Sequence, residues 1–239
     1  MQKIEIARIS GGGQRRNLSA NGFTLAEVLI TLGIIGIVAA LTLPNLVGNY
    51  KKRIVTSKLQ KFYSLMQQTI LLAEKDYGDM QYWLPEDKSV EGALEWFNTY
   101  LAPNMKVLSM TKLDDVYYQV GLSDGSGFVA YNPAGLYNKV HIFYCTELKY
   151  CGIERYDGTN SFLFTILTDG KQAKFVAGVF DSQNLTRDEL LERCKYGDWD
   201  NPGEASINSK RHTCAQLIQH DGWEIKEDYP WRQSIIEKK

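Results

Sequence analysis

From Phe23 to Leu43 the chain reads FTLAEVLITLGIIGIVAALTL, and Glu27 is the single ionisable side chain in that run. A helix rises about 1.5 Å per residue, so about 20 apolar residues cross the roughly 30 Å hydrocarbon core of a bilayer. A secretory signal sequence has a shorter apolar run, about 7–15 residues, with its cleavage site at the far end. Here the run is followed by Pro44-Asn45-Leu46 and then by Tyr50-Lys51-Lys52-Arg53. The segment therefore predicts a membrane-spanning helix with membrane lipid as its first partner, and it commits the rest of the chain to folding outside the hydrocarbon.

The 27 basic and 28 acidic residues leave a formal net charge of −1. No global field attracts nucleic acid or an acidic surface, so any binding has to be local. Aromatic residues make up 12% of the chain, with 14 Tyr and 5 Trp, enough to build a core after residue 80. Residues 1–22 are polar and glycine-rich, with Lys3, Arg8, Arg15 and Arg16 against Glu5. Such a composition cannot bury a core and predicts disorder. Its positive charge favours the cytoplasmic side, but the cluster Lys51-Lys52-Arg53 on the other flank leaves charge bias favouring neither orientation.

The junction Gly22-Phe23-Thr24-Leu25-Ala26-Glu27, running directly into the apolar helix, resembles the processing site of type IV prepilins and of the pseudopilins of type II secretion. The resemblance covers roughly residues 15–53. It implies that a membrane prepilin peptidase cuts after Gly22 on the cytoplasmic side and methylates the new amine of Phe23. It implies further partners: an inner-membrane assembly platform, and other pilin or pseudopilin subunits in a homo- or hetero-polymer.

A carboxylate in hydrocarbon costs at least about 2.5–3.5 kcal/mol, and such residues usually have a partner. For Glu27 the resemblance supplies the amine of Phe23, on its own chain or on a neighbour, where the pair sets axial register during assembly. The plainer reading is a residue near the membrane surface that snorkels to water. Gly33, Gly36 and Gly48 let helices approach closely, and Pro44 lacks an amide donor and is expected to bend or open the helix. In this family the segment between a matching glycine and proline unwinds when the subunit enters the filament, which puts that hinge between Gly36 and Pro44.

Beyond Arg53, the residues Val55, Leu59, Phe62, Met66, Ile70 and Ala73 recur at spacings of three and four, and predict an amphipathic helix to about Lys75, ended by Asp76-Tyr77-Gly78-Asp79. A short helix is expected over 90–101. Then come strands over 116–122, 128–131, 140–145, 162–168 and 174–180, a helix opened by the capping box Thr186-x-x-Glu189 and running to about Lys195, and another helical segment over 205–220. The fold class is α+β: a long N-terminal helix, its first half membrane-spanning, packed on an antiparallel meander, with a disulfide-stabilised C-terminal region. This agrees with the pilin fold. The domain reading is a leader over 1–22, a transmembrane or filament-core helix over 23–47, and over 48–239 a globular domain that includes the amphipathic half of the helix.

Four cysteines allow three connectivities. Cys145–Cys151 and Cys194–Cys214 are favoured because each closes a local loop, the second clamping one helix end to the next. Zinc is the alternative, since His141 and His212 lie near the two pairs, but the spacing matches no recognised zinc pattern, and neither metal nor cofactor is expected. Asp198 to Glu204 has the oxygen density of a calcium loop. Pro202 breaks the EF-hand pattern, and a solvated turn is the preferred reading. Trp223, Tyr229 and Trp231 are amphipathic aromatics suited to a sugar ring or a partner, and equally to sealing a core edge. No nucleophile–base set, phosphate loop or carboxylate pair is recognisable, and the three histidines, His141, His212 and His220, have no compelling spacing, so no enzyme is expected. The reading is a structural subunit of a type IV pilus or type II secretion pseudopilus, in the bacterial inner membrane with an extracytoplasmic C-terminal domain and, after assembly, in a filament or at the cell surface. The rival is a single-pass anchored ligand-binding protein, with carbohydrate as one candidate ligand, that never polymerises. A simple anchor requires neither Glu27 nor the Gly22-Phe23 junction.

Overall fold

The computed structural model describes residues 23–133, 135–196 and 211–231. The chain divides into two compact units, residues 1–46 and 47–239. Helix α1, Leu25–Tyr77, contributes to both.

In the first unit α1 is apolar on every side. Leu29, Ile30, Leu32, Ile34, Ile35, Ile37, Val38 and Leu41 are all exposed, and the helix is long and apolar enough to cross a membrane. A methyl added at Gly33 or Gly36 meets nothing within 4 Å, so neither glycine accommodates a neighbour from its own chain. The helix runs unbroken through Pro44. Proline removes one amide donor from the helical ladder, and the helix continues past it to Tyr77. Two residues before Pro44, the Thr42 hydroxyl donates to the Val38 carbonyl at 2.9 Å.

In the second unit the pattern narrows to one stripe. Val55, Leu59, Phe62, Met66, Ile70 and Ala73 are all buried, as expected for apolar residues three and four apart, which share a helix face. The helix ends at Tyr77, where Gly78 takes φ 81° and donates its amide to the Glu74 carbonyl at 2.9 Å. The stripe packs on a six-stranded sheet: β1 Val107–Lys112, β2 Tyr118–Leu122, β3 Gly127–Tyr131, β4 Asn138–Cys145, β5 Ser161–Thr168 and β6 Ala173–Ala177. Strand order follows the chain and every pairing is antiparallel, so this is the expected meander. Phe62 stacks on Tyr144 with ring centroids 4.3 Å apart and meets Phe164 edge-on at 5.4 Å. Polar pins flank the stripe: Lys58 Nζ donates to the Thr146 carbonyl at 2.6 Å, Lys61 pairs with Asp124 at 2.7 Å, and the Gln67 amide donates to the Phe175 carbonyl at 3.1 Å.

Several boundaries differ from the sequence expectations. The strand expected from Val116 begins at Tyr118, because Asp114 Oδ1 accepts the amides of Val116 and Tyr117, each at 2.8 Å, and holds them in a turn. The strand expected to reach Phe180 stops at Ala177: Gly178 adopts φ 80°, and Phe180–Ser182 forms a 3-10 turn. Strand β1 was not anticipated. Helix α2, Val90–Tyr100, is capped by the Ser89 side chain, which accepts from the Gly92 amide. Helix α3 covers Arg187–Tyr196, and α4 covers Cys214–His220. Of the helical segment expected over 205–220, residues 205–210 lie outside the described residues.

Disulfides join Cys145 to Cys151 and Cys194 to Cys214. The second connects α3 to α4. The first anchors the segment after β4, whose Cys151 and Tyr156 cover Val129, Phe143 and Leu163 on the face of the sheet away from α1.

Candidate functional site

Of the residues singled out by sequence, Phe23 and Glu27 lie at the head of α1. Gly22 lies outside the described residues. Phe23 is 88% exposed. Thr24 precedes the first helical residue, Leu25, and Glu27 sits in the first turn. Thr24 donates twice to one carboxylate oxygen: its amide lies 2.8 Å from Glu27 Oε2, and its hydroxyl also lies 2.8 Å from that oxygen. The Glu27 amide returns a bond to Thr24 Oγ1 at 3.2 Å, and the Val28 amide donates to the Thr24 carbonyl at 3.2 Å.

This is a capping box. A helix leaves its first four amides unpaired, and a threonine at the cap with a glutamate three residues on satisfies two of them reciprocally. The positive end of the helix dipole adds a favourable term for the carboxylate. Sequence reasoning assigned Glu27 a partner in the Phe23 amine and did not see Thr24. The signal was present: Thr24-x-x-Glu27 repeats the Thr186-x-x-Glu189 pattern that was read as a helix start. Thr186 binds Glu189 Oε2 through its amide and its hydroxyl, both at 2.8 Å. In the uncut chain the Phe23 nitrogen is an amide, so the cap gives Glu27 a partner before any amine exists. Chemically, the head of α1 is an anchored carboxylate beside an exposed aromatic, at the start of a helical stretch whose large apolar side chains up to Leu46 are exposed.

The other candidates resolve into structural roles. All four cysteines are in disulfides, and among the described residues no group of histidine, cysteine, aspartate or glutamate could hold a metal ion. Residues 198–204, considered for calcium, lie outside the described residues. Tyr229 is buried and its hydroxyl donates to the Gly158 carbonyl at 2.6 Å. Trp223 packs on Tyr63 at 5.3 Å. Both aromatics seal the core edge.

A family model described as a prokaryotic N-terminal methylation motif matches residues 18–43, the signature of type IV prepilins and pseudopilins. A second, described as a family of unknown function (DUF6613), matches residues 45–233. Comparison with curated proteins and with solved structures returned no match.

Proposed function

Because the chain belongs to that family of unknown function (DUF6613) and carries the prokaryotic N-terminal methylation motif at its head, we propose that it is a pilin or pseudopilin, cut by a prepilin peptidase between Gly22 and Phe23, N-methylated on Phe23, and polymerised through the apolar half of α1. The observation that carries this reading is the match to the methylation motif over residues 18–43, joined to a helix whose apolar side chains are exposed all round. A single chain leaves those side chains uncovered. Lipid before assembly and neighbouring helices after it would cover them equally well, and the change of state requires no turnover chemistry.

In this proposal the leader is 1–22, the membrane or filament-core segment is 23–47, and the extracytoplasmic domain is 48–239. Glu27 serves in register, with the amine of Phe23 as its charged partner once cleavage has created it. Gly36 to Pro44 is the segment that yields on entry to the filament. The assembly platform and other subunits are the partners, and the working location is the bacterial inner membrane or the filament built from it.

Intact-mass and N-terminal analysis of protein from cells that contain the peptidase tests the first step. A mature chain beginning with N-methylated Phe23 is expected, and Gly22→Ala is expected to accumulate as precursor. A mature chain beginning elsewhere, or normal processing of the Gly22→Ala form, overturns the assignment.

A further inference from the structure

On the face of the sheet away from α1, one row of side chains crosses neighbouring strands. Tyr131 on β3 is the cross-strand partner of His141 on β4, His141 is the partner of Thr165 on β5, and Thr165 is the partner of Val176 on β6. Tyr117, just before β2, extends the row, with its ring 4.7 Å from that of Tyr131. Hydrogen bonds run along it. The Tyr117 hydroxyl donates to Glu154 Oε1 at 2.9 Å, and the Tyr131 hydroxyl lies 3.2 Å from His141 Nδ1.

The other nitrogen of the His141 ring differs. His141 Nε2 is shielded from solvent and has no hydrogen-bond partner among the described residues, and the same holds for Thr165 Oγ1. Thr165 is fully buried. Cross-strand neighbours on one face have Cβ atoms about 4.5–5.5 Å apart, so these two unpaired polar atoms belong to adjacent side chains. Buried polar atoms are nearly always paired, with protein or with ordered water, and two unpaired atoms from adjacent positions point to one shared partner.

We infer that a single water molecule binds between His141 Nε2 and Thr165 Oγ1. The partner has to be neutral, because burial pushes the His141 ring down to about 4, against the opposing pull of the Glu154 charge, and keeps the ring uncharged near neutrality. It has to donate and accept, because the ring nitrogen offers one role and the threonine hydroxyl either. It has to be small, because the Thr165 side chain is closed to solvent. Water meets all three conditions, and two polar partners suffice to hold it. The row then runs from Glu154 through Tyr117, Tyr131 and His141 to Thr165, by hydrogen bonds except for the ring contact between Tyr117 and Tyr131, and ties β3, β4 and β5 together through side chains as well as backbone.

The test uses the full chain in detergent micelles. Thr165→Val removes the hydroxyl at almost constant volume. With the water present, it lowers the unfolding midpoint by about 2–4 °C, the shift expected for one lost hydrogen bond in a domain of this size. It also shifts the ring nitrogen resonances of His141, whereas Thr165→Ser leaves them in place. Combined with His141→Phe, the loss is smaller than the sum of the single losses, because both variants remove the same bridge. Magnetisation transfer from water to the Thr165 methyl and His141 ring protons in the wild type detects the molecule without any substitution. A midpoint that rises in Thr165→Val, as relief of an unpaired hydroxyl would produce, or the absence of that transfer, overturns the inference.

Discussion

The two halves of α1 use the same residue types to opposite effect. Up to Leu46, the leucines, isoleucines and valines surround the helix and are exposed; from Val55 to Ala73 one stripe, Val55, Leu59, Phe62, Met66, Ile70 and Ala73, is buried, while Leu71 and Leu72 off that stripe are exposed. What differs is pattern. A stripe about 100° wide can be covered by one sheet, whereas a helix that is apolar all round needs cover on every side, from lipid or from several helices. The first half is therefore built for surroundings that a single chain does not contain.

The largest test of that contrast is a pair of truncations. Phe62 stacks on Tyr144 and touches Phe128, Phe164 and Phe175. Phe62→Ala is expected to destabilise the domain by about 3–5 kcal/mol, the usual cost of deleting a core aromatic. Ile37→Ala, a comparable loss of apolar surface from an exposed position, is expected to leave the domain's unfolding midpoint unchanged. Chemical denaturation in detergent, followed by tryptophan fluorescence, measures both. A comparable loss in Ile37→Ala would show that the first half is covered by its own chain after all.

The disulfides give the next effect. Cys194–Cys214 spans a sequence separation of 20 and Cys145–Cys151 one of 6. On loop entropy alone the first constrains the unfolded chain by about 3 kcal/mol and the second by about 2 kcal/mol. Separate double Cys→Ser variants should lose stability in that order, and the reverse order would mean that anchoring the 146–160 segment over the outer face matters more than chain entropy.

How far the fold could be read follows from the same contrast between stripe and edge. The stripe of α1 and the strands β2 to β6 are legible because one or both of their faces are buried, and burial imposes a period on the residues. Strand β1, VLSMTK, carries no such pattern. From Leu108 to Lys112 every residue is exposed, and a register shift lies between Val107 and Ser109, so composition left no trace of the strand. At the head of α1, the glycine-aromatic junction and Glu27 are legible, whereas the role of Thr24 is masked, because a glutamate that is costly in lipid implies a charged partner and the cap is a local one. The row through His141 was not legible either. Its members, Tyr117, Tyr131, His141, Glu154 and Thr165, lie on five separate segments, and pairing between strands brings three of them together.

Acid should act on the domain in two steps. A group whose pKa is lower in the folded chain than in the unfolded one contributes stability that is complete above the unfolded value and lost as the pH falls toward the folded value. Burial lowers His141 from 6.5 to about 4, so its contribution is lost between those limits. The titratable groups that act on it are Tyr131, whose hydroxyl lies 3.2 Å from Nδ1, and Glu154. Burial alone would raise Asp124, but Lys61 and Ser126 outweigh it and hold the carboxyl down from 3.8 to about 2. Asp221 is likewise lowered, burial being outweighed by Arg187 and Lys226, and Asp228 is lowered by Arg187. Their contribution is lost below the ordinary carboxylate range. Unfolding midpoints across pH should therefore fall in both windows, and His141→Phe should flatten the upper window alone. A wild-type midpoint that is flat from 6.5 to 4 would contradict the burial of the imidazole.

The smallest expected effect on stability separates the two capping boxes, which share bonding geometry and differ in what surrounds them. Thr186 starts α3 inside the folded domain, and Thr186→Ala should cost about 1 kcal/mol of domain stability, the usual value of a lost cap. Thr24→Ala should leave the domain's unfolding unchanged, because its helix turn belongs to the other unit. The charge on Glu27 can then be distinguished from its cap by two substitutions. Glu27→Gln keeps a side-chain oxygen that can accept from the Thr24 amide and hydroxyl, and gives up the negative charge; Glu27→Val gives up both. Membrane fractionation should show both variants inserted at least as well as the wild type, since each removes a charge that is costly in lipid. Crosslinking between neighbouring helices reads assembly. If the charge aligns an incoming subunit through the amine of Phe23, Gln and Val fail alike. If Glu27 does no more than close a helix end, Gln assembles like the wild type and only Val is impaired. That second outcome would reduce Glu27 to the role Glu189 plays in α3, and remove the register argument from the proposed function.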